Sequence, residues 1–355
     1  MLADAGGRSW DVALVARQVG AQLAELAGAS DALVVAGAAA GLALGVAACA
    51  VRDAPDVAAA LPVPGRFTVV AQATLRNSYD RMARLCGARI VSVGYPTNPG
   101  LGQTLPWELD AAIDDDTVAV LHTVTADPAA LPLPVVAEIA SRRGVPVVVD
   151  AAAALPPAEN LRRFIAEGAD LVVFSGGKAI RGPQASGLLL GCADLIGSAR
   201  LQLLDMDVDR VLWLQDYAAE PWQHGLGRAM KVGPETMLAL LAAVREFLMT
   251  DHDQIADEMT SWLAAVRATL GSGDLIGPST AQGFYPSLVW RLDPSRARSL
   301  WRELASYDPS IRLAHSELAS GLIRLRPEAL SAGDRELIEE VLPAKLLLAE
   351  GAADF

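Results

Sequence analysis

Residues 147 to 190 read VVVDAAAALPPAENLRRFIAEGADLVVFSGGKAIRGPQASGLLL, and the way apolar runs end in polar stops here decides the fold. Val147-Val148-Val149 is a β-branched run closed by Asp150. Leu171-Val172-Val173-Phe174 is a second run, closed by Ser175-Gly176-Gly177-Lys178. The helix-length segment between them predicts strand, helix, strand, with one acid and one lysine at successive strand ends. In an open parallel sheet those carboxyl ends line the ligand crevice.

An aldehyde cofactor such as pyridoxal phosphate needs an amine for its Schiff base and a carboxylate facing its pyridine nitrogen. Lys178 and Asp150 are groups of those two kinds. The chain carries three lysines, Lys178, Lys231 and Lys345, so twenty-six of its 29 basic residues are arginine. Arginine cannot stand in for lysine in imine chemistry, because its guanidinium stays protonated and is a poor nucleophile. Spacing alone leaves a solvated turn open beside the chemical reading. A phosphate-binding Walker loop fits poorly, since Ala179 follows the lysine where Ser or Thr is required.

A chain of 355 residues is long enough for one sizeable core and a smaller second domain. Apolar residues make up 52% and charged residues 20%, which argues against disorder. The net charge of -13 argues against nucleic acid as the main partner, because no basic stripe is available to neutralise phosphates. Cys49, Cys86 and Cys192 are odd in number and widely spaced, which reads as reduced thiols in a cytosolic protein. Residues 33 to 51 carry no charge and are long enough to cross a bilayer. Alanine and glycine dominate them and no aromatic belt or basic flank is present, so they read as a buried helix of a soluble protein, without membrane contact. The N-terminus shows no secretory pattern.

Helical spacing covers 10–28, and Gly37-Ala38-Ala39-Ala40-Gly41 leads into an Ala/Leu helix ending near Cys49. Strands are predicted at 67–71, 89–93, 117–121, 146–149, 170–174 and 187–190, separated in several places by helices at 77–86, 107–113, 134–143 and 159–167. That alternation implies a mostly parallel sheet. A long helix at 234–249 follows, with Pro234 in its first turn. Helices at 254–270, 294–306 and 333–348 then alternate with strands at 285–292 and 319–325, which reads as a compact α+β domain.

Other polar groups have strong plain explanations. Small residues at Gly37 to Gly41 let backbone N–H groups approach a phosphate, yet tight helix packing accounts for them equally well. Arg228 and Lys231, in GRAMKVGPE, lie three apart and on a shared helical face would bind an anion; a solvated helix entry is the alternative. Asn77 and Tyr79 open a helix facing the crevice, although Asn is also a good cap. His122 ends a strand, His224 precedes the Arg228 cluster, His252 sits among acids and reads as exposed, and His315 lies in the C-terminal domain. None forms a compact metal pattern. Arg312, Arg324 and Arg326 flank the last strands, where one could grip a carboxylate, although surface salt bridges are the commoner use.

GAAAGLALGVAACA, VDAAAALPPAENL, GADLVVFSGGKAIRGPQASGLLLG and GRAMKVGPE together resemble pyridoxal-phosphate enzymes of the aspartate-aminotransferase superfamily. Within it the chain is similar to the group of L-seryl-tRNA(Sec) selenium transferase and D-glucosaminate-6-phosphate ammonia-lyase, from about residue 10 onward. The resemblance implies an α/β fold of the type I pyridoxal-phosphate class. It places an N-terminal helical segment at 1–30, a large cofactor-binding domain at 31–250 and a small α+β domain at 251–355. Lys178 would be the Schiff-base lysine and Asp150 the partner of the ring nitrogen. Gly37, Ala38 and Ala39 would cradle the phosphate, Ser175 would support phosphate or lysine, and Arg228 and Lys231 match the basic motif beyond the active-site strands.

The resemblance also implies a homodimer or higher homo-oligomer with the cofactor near the interface. Two departures stand out. Members of the group carry a longer, glycine-rich N-terminal segment, and they place a histidine near the ring face where this chain reads Ala73-Thr74-Leu75-Arg76. The expected chemistry is lyase-type: removal of the Cα proton from a small amino acid or amino-sugar acid, then α,β-elimination. Selenium-transferase-like β-replacement, racemisation or cyclisation begin from the same carbanion. A non-catalytic cofactor-binding or scaffold protein is the reading from a different class.

Overall fold

The computed structural model describes residues 10–95, 103–125, 127–203, 225–277 and 284–351. The chain divides into two compact units, Met1–Thr250 and Asp251–Phe355. The first unit begins with α1 (Val12–Ala27), β1 (Asp31–Val35), α2 (Ala38–Val51), α3 (Pro55–Ala60) and β2 (Thr68–Gln72). Two stretches of 3-10 helix, Ala73–Leu75 and Ser78–Cys86, lead into β3 (Arg89–Val93), α4 (Pro106–Ala112) and β4 (Thr117–Thr123). Next come α5 (Leu133–Arg142), β5 (Val147–Asp150), α6 (Asn160–Ala166), β6 (Leu171–Ser175), β7 (Gly187–Gly191) and α7 (Ala193–Leu201). A 3-10 turn at Arg228–Met230 and α8 (Pro234–Met249) complete the described part of the unit.

Seven strands form one sheet in the order β1-β7-β6-β5-β4-β2-β3. The pairs β2–β3, β2–β4, β4–β5 and β5–β6 are parallel, whereas β7 runs antiparallel to both β6 and β1. Both faces are covered, as a mostly parallel sheet requires. On one face Val70, Val120, Val149, Val172 and Phe174 pack against Leu23 of α1, Ile139 of α5, Phe164 of α6 and Leu240 of α8. On the other, Val69, Leu121, Val148, Leu171 and Val173 pack against Leu44 and Val46 of α2 and Ile196 of α7.

Two expectations, the helical reading of 33–51 and the α-helical reading of 77–86, are corrected. The uncharged stretch 33–51 is not one helix: Leu33-Val34-Val35 belong to β1, and Gly37 (φ 95°) separates that strand from α2. A strand buried on both faces loses its period-two alternation, so it merges by pattern with the apolar helix that follows. The strand at 187–191 is antiparallel to β6, because the residues between Ser175 and Gly187 are too few for the crossover that a parallel pair needs. Residues 78–86 are 3-10 rather than α-helical.

The second unit contains α9 (His252–Leu270), β8 (Asp274–Ile276), β9 (Ser287–Arg291), α10 (Pro294–Ala305), β10 (Leu322–Leu325) and α11 (Ala332–Gly351). Its three strands form an antiparallel sheet in the order β10-β9-β8. Leu263, Trp290, Leu300, Ile323 and Leu342 form its core. Among the described residues no helix is long and apolar enough to cross a membrane, and no cluster of three side chains could hold a metal ion.

His122 lies near the end of β4, buried on the face opposite α2. Its Nδ1 is 3.4 Å from Gln72 Nε2. The Gln72 amide also accepts from Leu131 N–H (2.6 Å) and donates to Leu131 carbonyl oxygen (3.2 Å), which pins the entry to α5 onto the sheet. Burial pushes the His122 imidazole down to about 4. A base with a depressed folded value contributes stability above its unfolded value, and that contribution is lost as the pH falls through the folded one. The shift from 6.5 corresponds to about 3 kcal/mol. Urea unfolding should therefore show wild-type stability falling between about pH 6.5 and about pH 4, with a shallower fall for His122→Gln.

Candidate functional site

The polar groups singled out from the sequence depend on which face of each strand they occupy. Alternation along a strand puts every second side chain on one face. Asp150 follows Val148, Thr123 follows Leu121 and Ser175 follows Val173, so all three share the α2 face at the carboxyl edge. Asp150 is in register with Thr123 on one side and Val173 on the other. It is only 8% exposed, and its Oδ1 accepts from Ala152 N–H (3.1 Å). Burial pushes its carboxyl above the usual carboxylate range; the Ala152 N–H and the Lys178 ammonium oppose that rise, and the negative charge of Asp80 adds to it.

Lys178 stands in the tight turn after β6. Gly176 N–H donates to Ser186 carbonyl oxygen (2.9 Å), Gly182 N–H to Gly176 carbonyl oxygen (2.8 Å) and Arg181 N–H to Lys178 carbonyl oxygen (2.9 Å). Both preceding glycines are required by close approach. A Cβ at Gly176 would lie 2.1 Å from Ser186 Oγ, and one at Gly177 would lie 2.6 Å from the Gln184 carbonyl oxygen. The turn leaves Lys178 exposed, and its Nζ makes no hydrogen bond or ion pair among the described residues.

The turn at Gly37 lies two strands away. Gly187 of β7 is in register with Ser175 on one side and Val35 on the other, so one residue joins the two loops. A Cβ at Gly187 would lie 2.4 Å from the Gly37 carbonyl carbon and 2.7 Å from Ala38 N, which only glycine avoids. Gly37 caps α2 without a side-chain hydrogen bond, so the first N–H groups of the helix, near half-buried Ala38 and Ala39, are left for an incoming acceptor.

Ala36 N–H donates to the Met230 carbonyl oxygen (3.0 Å), which brings the Arg228–Met230 turn against this same edge. Arg228 is half-buried in the 3-10 turn, while Lys231 follows it with extended backbone, so the two do not share a helical face as expected. Both already interact with other groups.

Other candidates lie elsewhere. His122 is on the opposite face, and His224 falls outside the described residues. His252, expected to be exposed, is buried in the second unit with Nδ1 2.9 Å from Tyr285 Oη. Arg324 is committed to Glu317 (3.1 Å) and Ser287 Oγ (2.9 Å), whereas Arg312 and Arg326 are exposed. Asn77 caps the 3-10 stretch with Asp80 closing a capping box, and Tyr79 is exposed. The sequence reading passed over buried Asp80 and Gly187. Asn77 followed three residues later by an acid was the signal for the first.

Residues 14–179 match the model of the DegT/DnrJ/EryC1/StrS aminotransferase family. A 5'-C-glycyluridine monooxygenase-decarboxylase from Streptomyces sp. is 32% identical, over 99% of this chain and 85% of its own. A D-glucosaminate-6-phosphate ammonia lyase from Salmonella typhimurium is 25% identical, over 97% of this chain and 88% of its own. A solved structure of D-glucosaminate-6-phosphate ammonia-lyase superimposes with a TM-score of 0.76, at 25% identity, covering 99% of this chain and 90% of that one. With its mostly parallel seven-stranded sheet of the type I class, the chain belongs to the pyridoxal-phosphate-dependent enzymes of the DegT/DnrJ/EryC1/StrS aminotransferase-like family.

Proposed function

We propose that this enzyme is a lyase that takes the Cα proton from an amino acid or amino-sugar acid and expels a β-substituent, giving a keto acid and ammonia after hydrolysis. The observation that carries the reading is the meeting of three features on one sheet edge: the unpaired Lys178 amine, the buried Asp150 carboxyl and the Gly37 turn. These residues fit pyridoxal phosphate. The gap-free contact of Gly187 on Gly37 and the uncapped start of α2 leave backbone donors for a phosphate. Asp150 supplies the carboxyl needed opposite a protonated ring nitrogen, and the Lys178 ammonium favours its charged form against the effect of burial.

When bound, the cofactor supplies an electron sink for the pair left at Cα. Lys178 Nζ would hold the aldehyde and would be the base placed to take the Cα proton. The Asp150 carboxylate would hold the proton on the ring nitrogen. Backbone N–H groups at Gly37, Ala38 and Ala39, with the Ser175 hydroxyl, would bind the phosphate. Arg228 and Lys231 supply positive charge for cofactor or substrate acid. The net charge of -13 weighs against a tRNA substrate, and so against the selenium-transferase-like alternative.

A second reading, loss of the substrate carboxylate with uptake of dioxygen, is favoured by the 32% identity to a monooxygenase-decarboxylase. Incubation with amino acids and amino-sugar acids separates the two: ammonia and keto acid without oxygen uptake support elimination, whereas oxygen consumption with carbon dioxide release replaces it.

Borohydride reduction of the loaded protein should fix the cofactor covalently on Lys178, read by peptide mapping, and Lys178→Arg should lose the adduct and at least about a thousandfold of the activity. An adduct on Lys231 or Lys345 would remove Lys178 from this role.

Asp150 gives a signed expectation. A carboxyl whose folded value is raised contributes stability at low pH and loses it as the pH rises through that value. In cofactor-free protein, Asp150→Asn should therefore melt no lower than wild type at neutral pH, and any advantage should disappear below about pH 4. Added pyridoxal phosphate should raise the melting temperature of wild type well above that of the variant.

We also propose that the enzyme works as a homodimer. Tyr95 (68% exposed) and Trp107 (66% exposed) sit at edge strand β3 and on α4, which packs beside it. Light scattering coupled to size exclusion should return twice the chain mass of 37.1 kDa, and Trp107→Glu should shift it toward the monomer.

A further inference from the structure

The carboxyl edge of the large sheet holds the cofactor candidates, and the opposite, amino edge holds a cavity of about 570 Å³ that none of them uses. It lies below the starts of β5 and β6 and the end of β7, between α5, the turn after α6 and the first turn of α7. Its charged side chains are Arg52, Glu138, Glu167, Asp170 and Asp194. Two of the acids are already paired four positions away, Glu138 with Arg142 (2.9 Å) and Glu167 with Arg163 (2.6 Å). Asp170 spends Oδ2 on the Val147 N–H (2.7 Å). Asp194, in the first turn of α7, makes no hydrogen bond or ion pair among the described residues. What is left over is one guanidinium and the oxygens of two acids, so the cavity presents both signs of charge.

Arg52 is the informative residue. It ends α2 at φ 50°, a region that is costly for any residue with a Cβ and that glycine usually occupies at a helix end. Among the described residues Arg181 is the one other non-glycine with a positive φ. The Arg52 guanidinium crosses to the Gly144 carbonyl oxygen beyond α5 through Nη2 (3.0 Å), and its remaining donors are uncommitted among the described residues. Glycine would serve the helix end better, so an arginine there is accounted for by what its guanidinium binds.

We propose that this cavity is a second binding site, for a zwitterionic amino acid, with Arg52 taking its carboxylate and Asp170 and Asp194 its ammonium group. A plain anion would meet two carboxylates and a plain cation would meet Arg52, whereas a ligand with both charges satisfies each. The fourteen residues of α2 separate Arg52 from the Gly37 turn by about 21 Å, so an occupant here is not a reacting substrate. The site goes beyond the elimination reading and does not rest on it.

Isothermal titration of the cofactor-loaded, borohydride-reduced protein, whose carboxyl edge is then blocked, tests this with 4-aminobutyrate and L-alanine, zwitterions of two charge spacings. Butyrate and butylamine carry one of the two charges each. At least one zwitterion should bind once per chain, and both single-charge compounds about tenfold more weakly, as loss of a charge-assisted contact implies. Arg52→Gly, which suits φ 50°, should melt no lower than wild type yet lose about tenfold in affinity. Asp194→Asn, at an exposed position, should lose a similar factor. Wild type that takes up neither zwitterion at millimolar concentration overturns the proposal. So does butylamine binding as tightly as 4-aminobutyrate, which would make the cavity a plain acidic surface. Affinity that both variants leave unchanged puts the ligand elsewhere and overturns it too. Should Arg52→Gly fail to fold, Asp194→Asn and the single-charge compounds decide. The same titration on cofactor-free protein keeps the outcome separate from the Lys178 adduct: zwitterion binding there, with no adduct on Lys178, sinks the cofactor reading and supports this site.

Discussion

Strand alternation, combined with the register of β4, β5, β6 and β7, is the constraint on which the site depends. A side chain at the end of a strand has two possible faces, and a slip of one residue exchanges them. Val147 to Val149 and Leu171 to Phe174 are buried on both faces by helices, so neither strand can slide without exposing apolar area or burying its polar end. That locking puts Asp150, Thr123 and Ser175 together and sends His122 to the other side. The antiparallel return through β7 is part of the same constraint. Gly187 pairs with Ser175 and Val35 at once and sits flush on Gly37, so the lysine turn and the α2 turn become neighbours through one residue without a side chain.

Energetically the edge is a place where folding accepts a cost in exchange for function. Asp150 is buried and raised, Lys178 is exposed on a tight glycine turn with no hydrogen bond or ion pair among the described residues, and Gly37 gives the first N–H groups of α2 no capping side chain. An amide at 150 would relieve the first of these, whereas the φ of 95° at Gly37 bars an N-cap Ser there. One ligand carrying a cationic ring nitrogen, an aldehyde and a phosphate would relieve all three together. Concentration of such unmet demands at a single edge is what separates a ligand site from scattered packing compromises.

The sequence displayed this edge unevenly. Strands ending in Asp150 and Ser175 were legible because β-branched runs stop at polar residues, and the helices between them because their apolar positions recur at helical spacing. β1 was not legible: Leu33-Val34-Val35 continues without a charge into the alanines of α2, and Gly37 is one small residue among many. The direction of β7 followed from the shortness of the link at 176–186, a feature of length rather than composition. Asp80 was hidden for another reason. Its burial comes from the 3-10 stretch folding back over the α2 face, a contact between segments that no local pattern encodes. His252 looked solvated among its acidic neighbours in TDHDQ, yet the aromatic rings of Phe284 and Tyr285, more than thirty positions away, bury it.

Cofactor class was readable where reaction type was not, and the same geometry explains both. An amine and an acid at adjacent strand ends are needed by every reaction that opens a bond at Cα, so their presence selects the cofactor and no particular outcome. Which bond opens depends on the orientation of the substrate against the ring, and orientation is governed by groups around the edge rather than by Lys178 and Asp150. One relative is named an ammonia lyase and another a monooxygenase-decarboxylase, so kinship does not choose the reaction. The departure at Ala73-Thr74-Leu75-Arg76 is therefore informative. Where the resemblance expects a histidine the segment holds Arg76, turned toward Asp80 and Ser92, so an ion pair stands there in place of an imidazole.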